Sequence, residues 1–114
     1  MVILNADKGN ILATVPIGTG TDGAVFNPGT MEVFSSNSDG TLTIVKENSP
    51  TSFEVTQSLT TTRGAKTLTL DSKTNHVILI AAELGAAPPQ PPGGGRGGRP
   101  PMIPESFAIW VVGK

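Results

Sequence analysis

A shift of 44 residues lays one part of this chain on another. It sets Phe26-Asn27-Pro28-Gly29-Thr30 and the following Val33-Phe34 over Leu70-Asp71-Ser72-Lys73-Thr74 and Val77-Ile78. It also pairs Ile11 with Val55, Ala13 with Gln57 and Val15 with Leu59. A repeat of about 40 to 50 residues holds one small supersecondary unit that cannot bury both of its faces alone, so the units have to stack. A β-sandwich has no reason to repeat in this way.

What fills the repeat is strand. Short runs rich in β-branched or aromatic residues stand at Val2 to Leu4, Ile11 to Ile17, Gly23 to Phe26, Val33 to Ser36, Leu42 to Val45, Phe53 to Leu59, Thr67 to Leu70, Val77 to Ala81 and Phe107 to Val112. Alternation of period two is plain in Ile11, Ala13, Val15 and Ile17 and in Phe53, Val55, Gln57 and Leu59, and no long window keeps a helical period. Between the runs, Asp7-Lys8-Gly9 and Asp39-Gly40 offer the positive φ of tight hairpins, and Asn27-Pro28-Gly29 marks a further turn. Hairpin follows hairpin, and no helix is expected.

Four short antiparallel strands per repeat is the unit of a β-propeller, a ring of roughly four to eight such sheets. The expected fold is therefore all-β: a partial β-propeller of about two to two and a half blades, each a four-stranded antiparallel meander. Residues 1–18 supply the outer two strands of one blade and 19–61 a complete blade. Residues 62–114 supply three strands of a third, with a Pro/Gly-rich loop at 85–104. Phe26, Val33, Phe34, Leu42, Ile44, Leu68, Leu70, Ile78 and Ile109 are the expected core.

The stretch "NADKGNILATVPIGTGTDGAVFNPGT" resembles the YncE-like, or YVTN-repeat, β-propeller proteins. Their repeats run through a Thr-Gly-type turn and a "vvatIpvG" outer strand into "P.gvavspdg..lyvs". The likeness lies in Ile11 to Gly18, Ala24 to Thr30 and Asp71 to Thr74, while Phe34 and Ile78 stand where the family's second strand often carries Tyr. The resemblance implies the C-terminal third of a ring of about seven blades. It also implies a periplasmic or secreted parent and a non-catalytic binding or scaffold role. The enzymatic alternative is a lactonase-type propeller hydrolase, which holds a metal at the channel. Two open blade faces would make the isolated chain self-associate.

Charge and residue chemistry exclude more than they suggest. Eight basic and nine acidic residues, with no basic run, give no footprint for nucleic acid or an anionic membrane surface. Cysteine is absent, and the N-terminus meets Asn5 and Asp7 too soon for a signal peptide or a membrane span. The lone His76 falls at a turn, at the position of Glu32 in the preceding repeat. No Gly-x-Ser-x-Gly elbow frames Ser35, Ser36 or Ser38. Gly18-Thr19-Gly20 leads into a strand rather than a helix, so it is read as the crossing between blades and not as a phosphate loop. No catalytic residue, metal or cofactor is expected.

The segment from Leu84 to Pro104 holds seven prolines and six glycines and reads as a surface loop. It lacks the arginine placement of a proline-motif ligand and the aromatic residues of an RNA-binding Arg-Gly tract. Candidate ligand contacts come instead from position. In a propeller the segments entering the innermost strands surround the channel, here Thr21-Asp22-Gly23 and Ala65-Lys66-Thr67. Asp22 and Lys66 correspond under the 44-residue shift and could pair or face a polar ligand, with Arg63 and Asn37 as further candidates.

Overall fold

The structure is a computed structural model that describes residues 1–83, 85 and 102–113. These residues form nine strands. A first sheet pairs β1 (Val2–Leu4) with β2 (Ile11–Thr14). The second runs in chain order through β3 (Thr21–Asn27), β4 (Glu32–Asn37), β5 (Thr41–Ser49) and β6 (Ser52–Thr60). The third follows with β7 (Lys66–Asp71), β8 (His76–Ala81) and β9 (Ala108–Val112). Every pairing is antiparallel. Among the described residues, no helix is long and apolar enough to cross a membrane. The Pro/Gly-rich loop lies mostly outside the described residues.

The 44-residue repeat recurs in the backbone. Phe26 pairs with Val33 and Asn27 with Glu32, while Leu70 pairs with Val77 and Asp71 with His76. Inside these two hairpin turns the side chain at the first position accepts from the amide two residues on: Gly29 N–H donates to Asn27 Oδ1 at 2.9 Å, and Lys73 N–H to Asp71 Oδ1 at 3.0 Å. Such Asx turns are why Asn and Asp serve there. Both turns then close through a left-handed residue at the same repeat position, Met31 at φ 56° and Asn75 at φ 60°. Gly29 is thus not the residue that supplies the positive φ in Asn27-Pro28-Gly29. The simpler hairpins follow the expectation, with Gly9 at φ 71° and Gly40 at φ 91°.

Burial follows from stacking. One face of the second sheet presents Val25, Phe34, Leu42, Ile44 and Leu59 to Leu68, Leu70, Val77, Leu79 and Val112 of the third. Leu42, Val77 and Leu79 lose essentially all contact with solvent there. On the opposite face of the second sheet, Ser35, Asn37, Thr43 and Val45 are buried. Gly18 lies on that face, its N–H donating to Thr43 Oγ1 at 3.2 Å, and β2 packs beside β6.

Two expected core residues are on the surface: Phe26 is 43% exposed and Ile109 is 64% exposed. Strand alternation explains both. In β8 it is Val77 and Leu79 that point at the second sheet, so Ile78 and Ile80, with their register partners Val111 and Ile109, lie on the far side. Phe26 lies on the face shared with Val33, and the two-stranded first sheet sits beside β6, leaving β3 uncovered there.

Candidate functional site

The segments singled out from the sequence converge on one end of the stack. Thr21, which opens β3, pairs with Asn37, which closes β4. The turn after Asn37 is fastened to the segments on either side of it: Ser38 N–H donates to Gly20 O at 2.9 Å, Thr61 N–H to Gly40 O at 2.7 Å, and Gly64 N–H to Ser38 O at 3.2 Å. A Cβ on Gly40 would meet the Arg63 backbone N at 3.2 Å and Cα at 3.3 Å. This close approach suits a glycine at positive φ. Lys66 then opens β7, which packs against β3.

Asp22 and Arg63 are exposed at this end and available to solvent. The Lys66 backbone pairs with Ile80, and its side chain lies outside the described residues. Asn37 is different from the other three. It is fully buried, and its amide uses every hydrogen-bonding position it has: Oδ1 accepts from Thr21 Oγ1 at 3.1 Å and Ser35 Oγ at 2.9 Å, and Nδ2 donates to Thr41 Oγ1 and Thr43 Oγ1 at 3.1 Å each. An amide with two lone pairs and two N–H groups can do no more. Asn37 therefore ties β3, β4 and β5 together and has nothing left to offer a ligand.

Asp39, which was absent from the sequence-derived candidates, organises the same turn. Its carboxylate accepts from Thr41 Oγ1 at 2.6 Å, Thr41 N–H at 3.1 Å and Thr19 N–H at 2.7 Å. Those bonds, the Thr41 hydroxyl foremost, hold its carboxyl below the ordinary carboxylate value, because hydrogen bonds to the charged form favour it. The Asp-x-Thr spacing was the available signal. Beside this turn lies an open depression of ≈ 270 Å³ lined by residues that include Pro16, Gly18, Asp39, Thr43 and Ser58.

The Ser35 hydroxyl donates to Asn37, and the Ser36 hydroxyl reaches the Gly23 carbonyl at 3.5 Å. His76 sits half-buried at the head of β8, against Gly113 and in register with Asp71. Among the described residues no group of three or more His, Cys, Asp or Glu could hold a metal ion. Comparison with family models, with curated proteins and with solved structures returned no match.

Proposed function

We propose that the three sheets are successive blades of a β-propeller of the YncE-like type that works as a non-catalytic binding or scaffold protein, in the periplasm or outside the cell. The observation that carries this reading is the 44-residue repeat, which recurs as hairpins of matched register, matched Asx turns and matched left-handed residues in two neighbouring sheets. Repeats of that length that cover each other face to face are how propeller blades bury their cores. A binding role agrees with a site end at which Asp22 and Arg63 are exposed while Asn37, Asp39 and Thr41 are consumed in holding the turn. Any polar ligand there would meet Asp22 and Arg63.

The experiment is a hydrolysis assay on short lactones with calcium or magnesium titrated in. The reading expects no turnover above buffer with either ion. Turnover stimulated by a divalent cation and lost in Asp22→Asn would overturn it in favour of a lactonase-type propeller.

A further inference from the structure

We propose that the outward face of the third sheet seats a second copy of this chain, head to tail, by accepting the first-sheet end of that copy; this rests on the stacked-repeat reading above. Register relates the second sheet to the third. In the second sheet Phe34 and Ser36 pair with Ile44 and Leu42, and in the third sheet Ile78 and Ile80 pair with Val111 and Ile109. The repeat carries Phe34 to Ile78 and Ser36 to Ile80, and the matching registers then carry Ile44 to Val111 and Leu42 to Ile109. Phe34, Leu42 and Ile44 are buried under the third sheet. Of their counterparts, Ile109 and Val111 are open to solvent and Ile78 is half-buried, and Ile80, the counterpart of Ser36, is open to solvent beside them. The outward face is thus the same kind of surface as the one the molecule already covers, with an isoleucine in place of the buried Ser36.

The chain also presents the surface that fits such a face. On the first sheet Leu4 pairs with Ile11, and the repeat carries Ile11 to Val55, whose partner is Val45. Val45 lies on the face of the second sheet that receives the sheet before it. Val2, Leu4 and Ile11 therefore form the receiving face of the first sheet, and all three are exposed, as is Phe26 beside them in kind on β3. The described residues present one face of each kind, on the first and third sheets, and their own contact between second and third sheets is the template for joining them. A contact between two third-sheet faces has no such precedent among the described residues. Head-to-tail contacts of this sort close into rings or extend into chains, according to the rotation they impose.

The test is sedimentation velocity of the whole chain over a micromolar dilution series, with a strand-type circular dichroism spectrum required of each variant. The wild type is expected above the one-chain mass, with a dependence on concentration. Ile80→Lys and Leu4→Lys each block one face and are expected to run as single chains, whereas an equimolar mixture of the two forms a one-to-one pair, since each keeps the face the other lacks. As a second measurement that does not depend on those lysines, Ile80→Cys and Leu4→Cys in this cysteine-free chain are mixed and oxidised, and a cross-link of position 4 to position 80 is expected to dominate. A wild type of one-chain mass throughout, no pairing in the lysine mixture, or a dominant 80-to-80 cross-link overturns the proposal. Divalent-stimulated lactone turnover would remove the non-catalytic reading without touching this contact, so the two failures are separable.

Discussion

Asn27 donates from Nδ2 to Asn75 Oδ1 at 3.1 Å, across 48 residues and between two sheets. Asn27 closes β3 and is buried, and its own Oδ1 is already engaged by Gly29 N–H, so one side chain fastens its own turn and the corresponding turn of the next sheet. Replacing it by alanine leaves the Gly29 amide and the Asn75 carbonyl without a partner, a loss of about 1–3 kcal/mol. Asn75→Ala is expected to cost a similar amount, because it leaves the Nδ2 of the buried Asn27 without its acceptor and gives up a side chain suited to positive φ. Urea unfolding of the two single variants and the double variant measures the link. Strictly additive losses would show that the two turns are not coupled.

The stacked faces make a second prediction. Leu79→Ala opens a cavity between the second and third sheets and is expected to cost about 2–5 kcal/mol. Ile109→Ala, two strand positions from the same core but on the outward face, is expected to stay within about 0.5 kcal/mol when unfolding is measured at low protein concentration. Equal losses at the two positions would mean that the face assignment of β8 and β9 is wrong.

The contrast between those two residues also marks how far the sequence could be read. Strand positions and hairpins were legible because period-two alternation and Asp-Gly turns are local signals, and the repeat tied the second and third sheets together. Which side of β8 is covered was not legible: Val77, Ile78, Leu79 and Ile80 are all aliphatic, so the choice rests on where the neighbouring sheet lies. Asn37 shows the same limit at the candidate site. An asparagine beside a turn reads as available, and only the convergence of Thr21, Ser35, Thr41 and Thr43 from three strands reveals that it is spent.

Gly18 provides a third prediction, from close approach rather than from φ. A Cβ there would stand 2.2 Å from Thr41 Oγ1 and 2.5 Å from Asn37 Nδ2, inside the network that joins β3, β4 and β5. Gly18→Ala is therefore expected to destabilise by about 1–3 kcal/mol through overpacking, and by more if the Asn37 amide is displaced. Gly9 is the control. Its φ of 71° disfavours a side chain, yet nothing lies within 4 Å of the added Cβ, so Gly9→Ala should cost only the conformational penalty of roughly 1–2 kcal/mol. Thermal unfolding compares them, and amide exchange at Thr41 and Thr43 should quicken in Gly18→Ala alone. Unchanged exchange in both would remove Gly18 from the network.

Acid should weaken the fold through two carboxylates in particular. Asp39 is held below the ordinary value of 3.8 chiefly by the Thr41 hydroxyl, then by the Thr19 amide. Asp71 is held below it chiefly by the Thr74 hydroxyl at 2.8 Å, then by the Lys73 amide. A lowered folded value means that the unfolded chain takes up the proton first. The contribution is then fully present above pH 3.8 and is lost as the pH falls below that through the folded values. Both groups are exposed, so the effect is a slope in the acid limb rather than a collapse. Measured by urea midpoint, the wild type should hold steady through neutral pH and decline below the ordinary carboxylate value. The double variant Asp39→Asn, Asp71→Asn should decline less steeply over that same window, because asparagine keeps the acceptor oxygen of each Asx turn but has no proton to bind. Identical acid limbs in the two proteins would show that these turn carboxylates play no part in acid unfolding, and the pH dependence would have to be sought among the other acidic residues.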